Sequence, residues 1–247
     1  MMAPMPTARI DASALAQGGR ALGLALTPAQ CETLVRYSAL LLKWNRTHNL
    51  TAIERADEVL THHLLDSLAL VPHVSRLAGL GPMSPSSASS LPPASPASSP
   101  GPLVQLLDVG SGGGLPAVPL AIACPWLQVT AVDKVQKKVA FLTQVRVELG
   151  LSNLSAVATR VETWQPPQPF ALIVARAFAS LADFVTLTRH LLAPDGRWLA
   201  MKGQRPEPEL AELAHLPQGV EVVSVQPIRV PGLDQARHLI EMKLHTP

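Results

Sequence analysis

Asp108-Val109-Gly110-Ser111-Gly112-Gly113-Gly114-Leu115-Pro116 is the stretch from which the fold is read. It follows an apolar run at 103–109, which has strand length, and leads into a second apolar run at 116–124 that suits a short helix. Glycines let a backbone turn sharply and let a ligand approach with no Cβ in the way. Four of the five residues from 110 to 114 are glycine, spaced G-x-G-x-G. The dinucleotide pattern begun at Gly110 would need glycine at 115, where Leu115 stands, and no P-loop pattern occurs. In an open α/β sheet, such a strand–turn–helix places a ligand beyond the strand's carboxyl end. The plainer alternative is a glycine-rich turn that holds no ligand.

Downstream of this turn the pattern alternates. Strands are expected at 128–132, ending at Asp133, and at 154–158, 170–175, 197–202, 220–225 and 238–244. Helices are expected at 134–149, stopped by Gly150, and at 181–191 and 207–213. Asp195-Gly196 reads as a turn into the strand at 197. Alternation of this kind predicts a doubly wound α/β fold with a mostly parallel sheet covered on both faces. The last two strands leave no room for a helical crossover, so the final strand is expected to be antiparallel.

Upstream the pattern is helical. Thr27-Pro28-Ala29-Gln30 is a capping box with proline at the first helical position, and predicts a helix to about residue 44. A second helix is predicted at about 57–70, with Leu60, Leu64 and Leu68 on one stripe and Pro72 at its end. Residues 81–102, GPMSPSSASSLPPASPASSPGP, carry no formal charge and almost no bulky apolar side chain. Such a segment buries too little surface to offset its ordering entropy, and reads as a flexible linker or insertion. The expected organisation is a small N-terminal helical region at 1–80, this linker, and an α/β domain at 103–247.

Composition bounds the rest. The chain has 247 residues, 47% apolar and 15% charged, enough for a sizeable core and incompatible with full disorder. A formal net charge of +2 permits a polyanionic partner without indicating one. The two cysteines, Cys31 and Cys124, are too few for a disulfide framework and fit a reducing cytosol. The longest apolar run, 115–127, is broken by three prolines, which argues against a membrane span.

Asp133 ends the second predicted strand. A carboxylate there can accept hydrogen bonds from both ribose hydroxyls of a nucleoside, or merely cap the next helix. The glycine turn with this acidic strand end resembles class I S-adenosylmethionine-dependent methyltransferases. More narrowly, the chain resembles the small-subunit ribosomal RNA guanine-N7 methyltransferase family, also called the glucose-inhibited division protein B family. The resemblance is carried by Trp44-Asn45 with Asn49-Leu50-Thr51, by His63-Leu64-Leu65-Asp66-Ser67-Leu68, and by Leu107 to Pro116. It continues through Asp133, Lys137-Lys138, Phe141-Leu142, Arg160-Val161-Glu162, Ala175 to Ser180, Met201-Lys202-Gly203-Gln204 and Arg237-His238-Leu239. The chain departs from the family at Ala117, where glycine is usual, and in the Pro/Ser insertion.

The resemblance implies a Rossmann-like methyltransferase domain with S-adenosylmethionine as cofactor. It implies that Gly110, Gly112, Gly114 and Leu115 line the methionine and ribose part of the cofactor, that Asp133 holds the ribose, and that Val161 and Glu162 meet the adenine end. Arg176 would stand at the boundary of cofactor and substrate. The partner implied is small-subunit ribosomal RNA or the small ribosomal subunit, met in the cytoplasm by a monomer without a membrane.

The residues then speak to the reaction. Enzymes of this class that methylate exocyclic amines commonly carry an Asn/Asp-Pro-Pro-Tyr-like loop after the fourth strand; here Ala175-Arg176-Ala177-Phe178 offers no such acceptor. Guanine N7 carries no proton and needs no general base. Arg176, Lys202 and Arg237 are donors only, expected to position guanine O6 and phosphates, or else to form ordinary surface ion pairs. Phe178 would stack on the target base or pack in the core. His62 and His63 are adjacent and point apart, and no H-E-x-x-H occurs, so packing rather than metal binding is expected. Two other readings stay open: a methyltransferase of small molecules or proteins, and a non-catalytic RNA-binding module.

Overall fold

A computed structural model describes residues 10–80, 103–176, 178–213, 215–216 and 219–245. The expected linker at 81–102 lies outside the described residues. Seven strands form one sheet in the order β3-β2-β1-β4-β5-β7-β6. They are β1 Val104–Val109, β2 Leu127–Asp133, β3 Leu154–Ala158, β4 Phe170–Arg176, β5 Leu192–Lys202, β6 Val220–Ile228 and β7 Arg237–Leu244. The first five run parallel, and β7 alone is antiparallel, to both β5 and β6. Every parallel crossover carries a helix or helical turn: α6 Ala117–Ala123, α7 Gln136–Leu149, a 3-10 turn Val161–Thr163 and α8 Leu181–Thr188; α9 Glu207–Leu213 follows β5.

The near-continuous apolar runs of β1, β2 and β4 reflect burial on both faces. Side chains alternate across the sheet, so neighbours in sequence enter different cores. Leu106, Val129, Val174 and Met201 belong to one, and Leu107, Val132, Ala175 and Ala200 to the other. The first core is shared with the N-terminal helices α1 Ala12–Ala21 and α2 Pro28–His48 through Leu15, Leu34, Tyr37 and Leu41, none of which has exposed surface. The second core is filled largely by α8, through Leu181, Phe184 and Val185, against the fully buried Trp198.

The predicted caps form. Thr27 Oγ1 accepts the Gln30 amide, and Gln30 reaches back to the Thr27 amide. Gln30 Nε2 also donates to the carbonyls of Ile122 and Ala123, at 3.0 and 3.2 Å, which clamps the start of α2 to the end of α6. Gly150 closes α7 in the left-handed conformation, φ 66°. Cys31 and Cys124 are both buried free thiols, and burial pushes the Cys124 thiol up to about 12.

Four expectations are corrected. α1 was not foreseen; Asp11 caps it, accepting the Ser13 amide at 2.9 Å. α2 extends to His48, past the expected end near residue 44. The predicted 57–70 helix is instead α3 Ala56–Val59, a π-helical turn Leu60–Leu65 and α4 Asp66–Leu68, and Pro72 opens α5 Val71–Leu77 rather than ending a helix. Proline costs nothing in a first helical turn, where its missing N–H has no partner to lose. Asp195-Gly196 is not a turn but part of β5. The pairing with β4 slips there, from Phe170 opposite Leu192 to Leu172 opposite Arg197, and the surplus residues bulge. A Cβ on Gly196 would fall 2.7 Å from the Leu192 side chain, so the bulge needs glycine.

Leu41 joins α2 to the glycine turn: a Cβ built on Gly113 would meet its Cδ1 at 2.8 Å. Leu41→Ala is expected to cost about 2–5 kcal/mol, as buried leucine truncations do, measured by urea unfolding. A loss below about 1 kcal/mol would mean that α2 does not contribute to the core in this way.

Candidate functional site

The carboxyl ends of β1 to β5 carry two neighbouring clefts. The first is built on the glycine turn. Asp108, with no exposed surface, accepts the Ser111 hydroxyl at 2.5 Å and the Ala117 amide at 3.2 Å, both on Oδ2. This pins both ends of the turn to β1. The family departure at Ala117 therefore keeps the one group the anchor uses, its backbone N–H. Asp108 Oδ1 has no partner among the described residues. Burial raises this carboxyl from 3.8 to about 6.

Gly110 is left-handed, φ 73°, and a Cβ there would meet nothing within 4 Å, because the residue lies on an open cavity wall. Gly114, φ 88°, faces the other way: a Cβ would strike Val118 at 2.6 Å and Leu142 at 2.7 Å. Tyr37 from α2 donates its hydroxyl to the Gly113 carbonyl at 2.5 Å. Asp133, 6% exposed, spends Oδ2 on the Gly112 amide at 3.0 Å and Oδ1 on the Val135 amide at 2.8 Å, with Lys138 Nζ 3.6 Å away. Each oxygen keeps a further lone pair. The cavity, about 430 Å³, is lined by Gly110, Asp133, Lys138, Val161, Glu162 and Phe178, among others. Of the cofactor residues named from the sequence, Gly110, Asp133, Val161 and Glu162 thus share one cavity. Gly112 reaches it through its bond to Asp133. Gly114 and Leu115 are buried against the first core and are not among the lining residues.

The second cleft, about 380 Å³, brings together Arg176, Lys202 and Arg237 with His62, His63 and Asp66. Asp66 is its centre. Only 2% exposed, it binds Arg176 Nη1 through Oδ2 at 3.1 Å and Arg237 Nε through Oδ1 at 3.0 Å. The π-helical turn before it presents the His62 carbonyl, which accepts Arg176 Nη1 at 2.8 Å. His63 fits between the Thr51 hydroxyl, 2.6 Å from Nε2, and Arg176 Nη2, 3.3 Å from Nδ1. Burial, with Arg176 second, lowers His63 to about 4, so it is neutral across physiological pH. Lys202 pairs with Glu209 at 2.8 Å and donates to the Phe178 carbonyl at 3.3 Å. Phe178 joins the clefts: its ring lies on the wall of the first and against Phe184, 5.4 Å away, and its carbonyl holds a cation of the second.

The three cations named from the sequence are therefore together, and all three are ion-paired inside a cleft. The sequence reading assigns His63 to packing and gives Asp66 no role. Their signal was the i, i+3 spacing of two polar residues within an apolar helical run. Among the described residues, no cluster of three His, Cys, Asp or Glu could hold a metal, and no helix is long and apolar enough to cross a membrane.

A family model described as rRNA small subunit methyltransferase G matches residues 30–79 and 94–240. The ribosomal RNA small subunit methyltransferase G of Chromobacterium violaceum is 50% identical over 230 residues, 93% of this chain and 96% of its own length. That of Ralstonia nicotianae is 50% identical over 228 residues, 92% and 93%. Among solved structures, the glycopeptide N-methyltransferase MtfA complexed with S-adenosyl-L-methionine aligns with TM-score 0.50 and 15% identity, covering 64% of this chain and 91% of that one. At that identity the likeness speaks for the fold alone.

The Asp108 carboxyl makes a pH prediction. Its folded pKa lies above the unfolded value, so the native state holds the proton more tightly, and stability falls as pH rises from about 4 to about 6. Against an Asp108→Asn variant, wild-type stability in urea should decline over that window and run level with it above pH 7. Parallel curves throughout would show that the carboxyl is not perturbed.

Proposed function

Because the chain belongs to the rRNA small subunit methyltransferase G family, we propose that it moves a methyl group from S-adenosylmethionine to N7 of a guanine in small-subunit ribosomal RNA. The observation that carries the site assignment is the meeting of the two clefts at Phe178, one fitted to a nucleoside and the other to a base and its phosphates.

The first cleft fits the cofactor. The open wall at Gly110 is a space that any side chain would fill, and Asp133 keeps acceptor capacity toward the ribose hydroxyls. Val161 and Glu162 stand where the adenine would lie, and Gly110 and Gly112 where the methionine part would run. Gly114 and Leu115 act from beneath, Gly114 by letting the turn pack against Val118 and Leu142, Leu115 within the first core. When bound, S-adenosylmethionine supplies an electrophilic methyl group on a sulfonium.

The second cleft positions the guanine. N7 attacks through its own lone pair, so no side chain has to remove a proton there. Neutral His63 and ion-paired Asp66 are neither needed as bases nor free to act as such. What the chain supplies is orientation. Arg176, Arg237 and Lys202 offer donors to O6 and to phosphate oxygens. Methylation places positive charge on the purine, and bare guanidinium groups would oppose it. Asp66 between Arg176 and Arg237 removes one of their two charges while leaving their outer N–H groups to donate. The ribosomal RNA substrate places the enzyme in the cytoplasm, and we read it as a monomer.

Lys202→Ala and Arg237→Ala are each expected to cut methylation of small ribosomal subunits on the order of 10²-fold, as misplacement of a reacting group does, with cofactor affinity by calorimetry unchanged. The rate should show no rising limb assignable to a general base across neutral pH. Product mapped to an exocyclic amine, or full activity in both variants, would overturn this account of the site.

A further inference from the structure

The cations of this chain are divided between those that carboxylates hold and those left open. Around the second cleft they are held: Arg176 and Arg237 by Asp66, and Lys202 by Glu209. In α2, Lys43 and Arg46 are exposed; so are Lys134 and Lys137, where α7 begins. No carboxylate lies within ion-pair distance of these four among the described residues.

Two contacts set α2 against α7. Arg36 Nη2 donates to the Glu148 carbonyl at 3.0 Å, and the Trp44 ring meets Phe141 at 5.5 Å. Position rises along α2 as it falls along α7, so the helices run antiparallel. One more turn takes α2 to His48, whose ring lies tilted 5.0 Å from that of Trp44, and α7 to Lys137. The end of α2 therefore lies beside the start of α7. From there the edge continues into the first cleft, whose lining includes Lys134, Lys138 and Arg160. The strip holds six cations against three carboxylates, Asp133, Glu162 and Asp183, in a chain whose formal net charge is only +2.

Resting on the reading that the substrate is ribosomal RNA, we propose that this edge of α2 and α7 is the surface on which RNA docks, taking the phosphates that flank the target guanine. Exposed, uncommitted Lys and Arg side chains suit a phosphodiester backbone, because neutralising it releases counterions with little desolvation of the protein. A protein partner would ask for an apolar centre. The exposed large apolar residues among those described are Leu80, Leu103, Val147 and Val223, none of them in the last turn of α2 or the first of α7. The edge thus grips phosphates while the Asp66 cleft, with its guanidinium charge halved, reads the base.

The test uses the full chain with Lys43→Gln, Arg46→Gln and Lys137→Gln combined, none of which lines either cleft. The control is Arg146→Gln, an exposed cation about 13 Å further along α7. Binding to small-subunit ribosomal RNA is measured by fluorescence anisotropy over a range of salt, beside methylation kinetics on small subunits. The triple variant should bind at least about tenfold more weakly, with a slope of log Kd against log salt flatter by about 2. Its KM for subunits should rise, with kcat and cofactor affinity kept, and the control should match wild type. An unchanged salt slope in the triple variant, or an equal loss in Arg146→Gln, would overturn the proposal. A wild-type chain that binds RNA but methylates no subunit would strike the proposed function instead, and the salt slopes would still decide the docking edge.

Discussion

Asp108 has no exposed surface, yet the glycine turn closes on its carboxylate. Ser111 and Ala117, at the two sides of the turn, both donate to Oδ2. That holds Gly112 where its amide can reach Asp133, 21 residues later at the end of the neighbouring strand. It also holds Gly113 where Tyr37 can donate to its carbonyl, which ties the N-terminal helices to the same turn. The position of the first cleft, the register of α2 over the sheet and the mouth on which α7 opens follow from this one anchored loop. A buried carboxylate raised to about 6 is the energetic cost of placing it there.

The parallel sheet does the rest by geometry. Strands that run the same way bring their carboxyl ends to one edge, so Asp108, Asp133, Arg176 and Lys202 end up on one rim although each belongs to a different strand. The antiparallel β7 then starts where β5 ends, with His238 opposite Lys202, and this delivers Arg237 to the rim from the opposite direction. One reversed strand is what makes the second cleft possible.

The clefts divide the electrostatics between them. Around Asp66 two guanidiniums share one carboxylate, which halves their charge and suits a base that becomes positively charged. Along α2 and α7 the cations are open, which suits a backbone that stays negative. A net charge of +2 concealed this, because a sum over the chain carries no information about position.

The sequence alone determined the sheet, its reversed last strand, the glycine turn, the capping box that starts α2 and the glycine that ends α7. Each of these rests on local periodicity, on a capping side chain or on a backbone conformation that few residue types accept. It also brought Arg176, Lys202 and Arg237 to notice, since each stands at a strand end. What the tertiary structure decided was the company those residues keep. Asp66 meets Arg176 across 110 residues and Arg237 across 171, and no local pattern records such a pairing. The stripe Leu60, Leu64, Leu68 reads as an ordinary α-helix; the π-helical turn inside it puts the His62 carbonyl and Asp66 on one guanidinium. Asp195-Gly196 looks like a turn by every local rule, yet it is held in β5 by pairing with β4 on either side. Backbone preferences act over a few residues, whereas a site is made of side chains that the fold brings together from the whole length of the chain.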